Sequence, residues 1–422
     1  MHSVTNAIPT GTIASIPAKA HAHRALICAA LTTSPSTILL SRTSKDIDAT
    51  MDSLRGLGAH VVYENKVVTV TPGPVPAKGN VVPHESGTTL RLLLPVAASI
   101  CNDVDVDAKG RLPDRPLEPM LEEMKAHGVT FSQDKPPFTM TGRLQGGNFA
   151  MVGDVSSQFF SGLLLAAPQI GLSTITSTTP LQSSDYVTLT TETMRDFGVE
   201  VEHTLPDTDI NEAFTVPFGA SFIGRNNYQI EGDWSNAAIW MVAAGMTGKP
   251  ITITGMNNNS VQADRRIIQV MIDAGCDVVW DGMNITVTGR ASKPIHVDLE
   301  QMPDMLPVMA ALACSISGES SFIKGARLRL KESDRLIAVA NLVRDLGGTV
   351  REEGDDLYII GSGILKGGHG DCVNDHRLVM AGTLMALISE NPVTLKDSEA
   401  ITKSYPDFFE DWNLLGGDAH GI

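Results

Sequence analysis

The chain has 422 residues, with 32 Lys and Arg against 48 Asp and Glu, a formal net charge of −16. That balance excludes a nucleic-acid partner, whose phosphates demand a basic face. With 42% hydrophobic residues, 19% charged residues and no apolar run long enough to span a bilayer, the sequence reads as a compact globular protein with no membrane partner.

In chain order, a polar cluster runs six times into an Ala-rich apolar segment of helix length, and then into a short β-branched strand. The six openings are His23-Arg24 before ALICAAL, Gly87-Thr88-Thr89 before LRLLLPVAAS, Ser156-Ser157-Gln158 before FFSGLLLAAP, Ser235-Asn236 before AAIWMVAAGM, Pro303-Asp304 before MLPVMAALAC and Asp375-His376-Arg377 before LVMAGTLMALI. The strand pieces are STILLS, DVDVDA, STITST, PITITG, SSFIKG and PVTLKD in turn.

A second landmark keeps the same beat. Helical stretches end at Gly58, Gly128, Gly198, Gly275, Gly347 and, in a weaker sixth copy, Gly416, with spacings of 70, 70, 77, 72 and 69 residues. Glycine in that place suits a left-handed C-cap. Hairpin-like stretches such as HVVYENKVVTVTP and DVVWDGMNITVTG follow. One unit is therefore helix, strand, helix, hairpin. Six units exceed what one hydrophobic core holds, so two domains of three units are expected. The longest spacing contains DTDINEAF and GRNN, which places a linker near residues 217–230.

Cys28, Cys101, Cys276, Cys314 and Cys372 are scattered, without CxxC or Cys/His spacing, and read as reduced core thiols, with no metal site. The segment MHSVTNAIPTGTIASIPAK has neither the pattern of a secretory signal nor that of a transit peptide, so a cytoplasmic protein is expected.

Against the acidic background, Lys19, Arg24, Arg91, Arg115, Lys331, Arg335, Arg377 and Lys403 stand at or near helix openings or in short polar loops. The first turn of a helix leaves N–H groups unpaired at the positive end of the peptide dipoles, which makes an anion site. Repeated helices pointing the same way, with Arg and Lys added, would clamp carboxylate and phosphate groups. The ligand expected is small and multiply anionic.

IPAKAHAHRALICAAL, ESGTTLR, GRLPDRPLEP, VSSQFFSGLLLAAP, IEGDWSNAA, MPDM, LKESDRL, NDHR and TKSYPDFF, in that order, resemble the signatures of the 5-enolpyruvylshikimate-3-phosphate synthases over essentially the whole chain. The resemblance implies an α/β fold, a two-domain inside-out α/β barrel of six βαβαββ repeats. The expected domains are 17–228 and a discontinuous 1–16 with 229–422, with the active site in the cleft between them. It also implies transfer of the enolpyruvyl group of phosphoenolpyruvate to the 5-hydroxyl of shikimate 3-phosphate, without metal or organic cofactor, in a protein expected to be monomeric. Domain closure around the anionic substrates is expected to accompany catalysis.

By the same resemblance, Arg24, Ser156, Ser157, Gln158, Ser183, Tyr186, Asp304 and Lys331 would bind shikimate 3-phosphate. Lys19, Gly87, Arg115, Gln158, Arg335, Arg377 and Lys403 would bind phosphoenolpyruvate. Asp304 would be the base for the 5-hydroxyl, and Glu332 with Lys19 would serve the methylene carbon. His376 joins the catalytic set. Each has a plainer reading: Asp304, Ser156 and Ser157 as helix caps, His376 as a buried imidazole, Tyr186 and Tyr405 as core, and KESDR as a surface charge run.

Three departures stand out. Ala20 replaces an expected serine beside Lys19, Glu85 stands where many members carry Asn, and Trp234 is bulkier than the usual occupant and reads as packing. Glu85 near an anion site is unfavourable unless it turns away or pairs with a base such as Arg91. Gly87 leaves room for glyphosate, so sensitivity is expected. One alternative is a UDP-N-acetylglucosamine enolpyruvyl transferase, but its loop cysteine is missing around AKGRLPDRP. The other is a non-catalytic anion-binding homologue, for which Ala20 and Glu85 are the only hints.

Overall fold

The computed structural model describes residues 1–205 and 212–422. Part of the polar passage DTDINEAF lies outside the described residues.

Each apolar segment forms a helix: Lys19–Ala30, Gly87–Ile100, Ser157–Ile170, Trp234–Thr247, Leu306–Ser315 and His376–Ala386. Their N-termini are set by local chemistry. Ser86 accepts from Thr89 N–H at 3.2 Å, Ser156 from Gln158 N–H at 3.3 Å, Asp233 from Asn236 N–H at 2.8 Å and Asp375 from Arg377 N–H at 3.0 Å. The fourth helix is thus capped by Asp233, with Ser235-Asn236 inside its first turn. The fifth is entered through a short 3₁₀ turn, Pro303–Met305.

The first helix departs from the expected opening. It starts at Lys19, after an extended Ala18, and His23-Arg24 lie a turn inside it, buried. Polarity there marks internal hydrogen bonding and not a helix end. His23 Nδ1 is 2.7 Å from Thr50 Oγ1, and Arg24 Nε donates to Thr190 Oγ1 at 2.7 Å.

All six landmark glycines have positive φ, from 87° at Gly347 to 103° at Gly58, as left-handed helix stops require. The hairpin at His60–Glu64 and Val67–Thr71 turns through Asn65 and Lys66, whose φ values of 51° and 65° suit a primed turn.

The described strands form six four-stranded sheets. Five share one pattern, a parallel pair followed by an antiparallel hairpin, and in three of these a core helix joins the parallel pair directly. Gly79–Val81, Asp103–Val106, Phe138–Thr141 and Thr130–Phe131 are an example. In the sixth, His2–Val4 lies between Val393–Lys396 and Ala419–Gly421.

The chain divides into two compact units, Pro17–Ile230 and Met1–Ile16 with Glu231–Ile422. Each has three of the sheets and its own hydrophobic core. Strands are lent along the chain accordingly. Tyr228–Gln229 pairs in parallel with Ser36–Leu39, supplying the opening strand of the first repeat, and Gly11–Ala14 pairs with Ile251–Thr254 to open the fourth.

Within the cores the long helices are apolar on every side, which fits helices covered all round. In Trp234–Thr247 only Ser235 and Thr247 are not buried. Gly87–Ile100 lies against Ser157–Ile170 so closely that a Cβ on Gly162 would stand 2.4 Å from Arg91 O. Among the described residues, no helix is long and apolar enough to cross a membrane.

Candidate functional site

In the unit Met1–Ile16 with Glu231–Ile422, helix N-termini bring charged residues together. Asp375, fully buried, caps His376–Ala386. Arg335, 1% exposed, opens the helix Arg335–Asp345, whose cap Asp334 accepts from Ile337 N–H at 3.2 Å. Arg335 engages three carboxylates: Asp375 through Nε at 2.8 Å and Nη2 at 3.2 Å, Glu332 through Nη2 at 2.6 Å and Asp304 through Nη1 at 2.7 Å. Burial alone would lower the pKa of this guanidinium; Asp375, Glu332 and Asp304 overcome it and raise it. Arg335 is a permanent cation tying three segments together.

Asp304 sits on the Pro303–Met305 turn with its side chain 21% exposed. Besides Arg335, its carboxylate has Lys331 Nζ at 3.1 Å and Arg377 Nη2 at 3.5 Å. Burial would raise its pKa, but Lys331, Arg377 and Arg335 together hold it well below the usual carboxylate range. Lys331 is pushed down to about 8, by burial first and then by Arg327 and Arg335, with Asp304 and Glu332 opposing. Lys403 Nζ donates to Asn374 O at 2.8 Å, one residue before Asp375. His376 is buried, with Nδ1 3.9 Å from Asp375 Oδ1, beyond hydrogen-bond reach. So Asp304, Lys331, Glu332, Arg335 and Arg377 are gathered directly, while Lys403 and His376 join through the Asn374–Asp375 segment. The charge run KESDR is a connected cluster and not a solvated face.

The unit Pro17–Ile230 repeats the theme. Lys19, opening the first core helix, pairs with Asp46 at 2.7 Å, and Asp46 lies in the first turn of the helix Lys45–Gly56. The Asp46 carbonyl also accepts from Thr89 Oγ1 at 3.3 Å, which ties this corner to the start of Gly87–Ile100. Gln158 bridges to the same start: its Nε2 donates to Thr88 Oγ1 at 2.8 Å, and its Oε1 accepts from Arg91 Nη1 at 3.2 Å. The Arg115 guanidinium lies over Gly87, where a Cβ would stand 2.5 Å from Nη1. Ser156 acts as a cap, with Ser157 buried beside it. Ser183 is buried with φ 55°, two residues before the helix Asp185–Asp196 that carries Tyr186.

Arg24 is held inside its own unit. It is 1% exposed, and its Nη groups donate to Ala20 O at 2.7 Å, Ser161 Oγ at 3.3 Å and Tyr186 O at 3.0 Å. Here it ties the first core helix to Asp185–Asp196. His21 is held at a pKa of about 4, chiefly by burial and then by Arg24, so it is a neutral imidazole beside the Tyr228 hydroxyl at 2.8 Å. The Glu85 carboxyl folds against Gly110, where a Cβ would stand 2.9 Å from it. Trp234 is fully buried with its ring 5.9 Å from that of Trp280, as packing requires.

Sequence reasoning places Asp375 and Thr88 only in helix openings and gives Asp46 no role, whereas these residues hold Arg335, Gln158 and Lys19 respectively. A signal exists only for Asp375, an acidic cap directly before His-Arg. Asp46 is one of several acids in KDIDATMD.

Residues 7–412 match the family model of EPSP synthase (3-phosphoshikimate 1-carboxyvinyltransferase). A 3-phosphoshikimate 1-carboxyvinyltransferase of Clostridium kluyveri is 36% identical, over 97% of this chain and 95% of its own. One of Methanocorpusculum labreanum is 34% identical over 97% of both chains, and one of Pyrococcus abyssi is 34% identical over 95% and 94%. In fold, the chain is similar to the EPSP synthase structure from Acinetobacter baumannii, with TM-score 0.80 and 22% identity over 100% of this chain and 99% of that one.

Proposed function

The chain belongs to the EPSP synthase family, and from that premise we propose how its residues carry out the reaction. The enolpyruvyl group of phosphoenolpyruvate passes to the 5-hydroxyl of shikimate 3-phosphate, a step of the shikimate pathway. The oxygen adds to C2 of phosphoenolpyruvate while C3 gains a proton. The tetrahedral adduct then loses inorganic phosphate from C2 and the proton from C3, which leaves the enol ether.

Asp304 takes the hydroxyl proton, and the observation that carries the reading is its setting among Lys331, Arg335 and Arg377. With these cations unshared, Asp304 is a stabilised anion and a weak base. Substrate phosphate and carboxylate compete for Lys331 and Arg377; each cation drawn off raises the Asp304 pKa toward a useful range. Substrate binding thus activates the base. Glu332, held by Arg335, and Lys19, held by Asp46, handle the C3 proton.

Lys331, Ser156, Ser157, Gln158, Ser183 and Tyr186 bind shikimate 3-phosphate, with Arg24 acting mainly by fixing the backbone at Ala20 and Tyr186. Phosphoenolpyruvate takes Arg115, Arg335, Arg377 and Lys403, with the backbone at Gly87 approaching its phosphate. His376 contributes through its helix-opening position beside Arg377. The working form is proposed to be a monomer in the cytoplasm; light scattering tests the first half of that statement.

The test is phosphate release from phosphoenolpyruvate with shikimate 3-phosphate or UDP-N-acetylglucosamine as acceptor. Release with shikimate 3-phosphate alone supports the reading. Release with the nucleotide sugar, or with neither, sinks it.

A further inference from the structure

One buried carboxylate beside the cation cluster has no part in the reaction as proposed. Asp264 lies in the 3₁₀ turn Ala263–Arg266 and is 1% exposed. Its Oδ2 accepts from the Ser235 hydroxyl, while its Oδ1 meets no donor among the described residues. The helix Trp234–Thr247, which presents Ser235, contacts this turn, the Pro303–Met305 turn and the helix His376–Ala386. Asp264 therefore feels Arg377 from one element, Asp304 from a second and the cap Asp233 from a third. On its own turn, Arg265 is directed to Asn258 Oδ1 at 3.0 Å and Arg266 donates to Ala263 O at 3.3 Å.

We propose that Asp264 is the proton-linked counter-charge of the anion site at Arg377, ionised while that guanidinium lacks a substrate carboxylate and taking up one proton from solvent when the carboxylate arrives. A buried carboxylate oxygen without a donor is a costly place for full charge and a cheaper place for a proton. The balance is already close. Burial raises the Asp264 pKa to about 6, Arg377 opposes that rise, Asp304 and Asp233 add to it, and the Ser235 hydrogen bond opposes it. A carboxylate placed on Arg377 cancels the main attraction that keeps Asp264 ionised, so its pKa climbs further. Near neutral pH, phosphoenolpyruvate then binds together with a proton, and its apparent affinity falls as pH rises.

This inference rests on the placement of phosphoenolpyruvate at Arg377 proposed above. The test is the pH dependence of the KM for phosphoenolpyruvate at saturating shikimate 3-phosphate, from pH 5.5 to 8.5, in the wild type and Asp264→Asn. Asparagine keeps the size and an acceptor for Ser235 but cannot ionise. Below about pH 6 the wild-type carboxyl is protonated, and the two proteins are expected to share one KM. Toward pH 8 the wild-type KM rises over that of the variant by up to about tenfold per pH unit, while kcat stays parallel. Ionisation of phosphoenolpyruvate itself acts on both proteins and cancels in the ratio. A ratio that does not change with pH overturns the proposal. Absence of turnover in the wild type strikes the underlying reading instead.

If Asp264→Asn does not fold, calorimetry still decides. Calorimetric titration with phosphoenolpyruvate at pH 7.5, on enzyme saturated with a shikimate 3-phosphate lacking the 5-hydroxyl, in two buffers of different ionisation heat, gives the protons taken up. Net uptake that persists in Asp304→Asn supports the proposal, and no uptake, or uptake lost with the Asp304 carboxylate, overturns it.

Discussion

Asp304 and Lys331 show how one contact serves two states. With each other as partners both are restrained: the carboxylate is a poor base, and the ammonium, held at about 8 chiefly by burial, is a fragile cation. Removing the carboxylate by Asp304→Ala is predicted to lower kcat by about 10²–10⁴ with a smaller change in KM; a loss under tenfold in a phosphate-release assay would refute its role as base. Because the Lys331 pKa is lowered, its charge is present below about pH 7 and is lost as pH rises through 8. The KM for shikimate 3-phosphate should therefore climb above pH 8, by about tenfold per unit, and Lys331→Arg, which stays charged, should flatten that rise. At Gly87, a methyl group would displace the Arg115 guanidinium. Gly87→Ala is predicted to raise the KM for phosphoenolpyruvate more than that for shikimate 3-phosphate, and equal increases in the two would count against the pairing of Gly87 with Arg115. The candidate residues in LKESDRL and NDHR were legible in the sequence only through the family resemblance, because by itself the charge run reads equally as a surface run and its joining through Arg335 needs the fold. Asp264 was not, since ADRR is an ordinary polar stretch and only the fold buries it.

Among elements, the close approach of Gly87–Ile100 and Ser157–Ile170 sets the position of Gln158, which is held by Arg91 and Thr88 of the facing helix. A Cβ on Gly162 would meet the Arg91 carbonyl, a backbone atom that cannot swing aside. Gly162→Ala is thus predicted to cost about 1–3 kcal/mol in urea denaturation and to weaken substrate binding through Gln158; an unchanged midpoint would show that the helices separate freely. Five of the six core helices were legible near their true starts because a cap residue or a Pro turn stands there. The first was misread by a turn, since the buried His23 and Arg24 look like surface residues in sequence, and their partners Thr50 and Thr190 come from other helices.

For the whole molecule, the sixfold beat survives because each repeat must end its helix at a positive-φ glycine before the next hairpin. What the beat does not show is which strand belongs to which repeat. Tyr228–Gln229 is two residues long, too short for any alternation, yet it completes the first sheet of Pro17–Ile230. With its own core and all its sheet partners inside that range, Pro17–Ile230 expressed alone is predicted to unfold cooperatively, and a version ending at residue 225 to be less stable. Equal denaturation midpoints for the two would mean that the lent strand contributes nothing.

The strand His2–Val4, seated between Val393–Lys396 and Ala419–Gly421, orders events on the ribosome. It is translated before Pro17–Ile230, and both its neighbours only after that unit is complete. Throughout synthesis it remains an unsatisfied edge, a template for unwanted pairing with other nascent chains. Pro17–Ile230, by contrast, has every partner as soon as Gln229 clears the exit tunnel. A strand made before the whole neighbouring unit must wait for partners made after it, so a stalled ribosome leaves one unit finished and the other open.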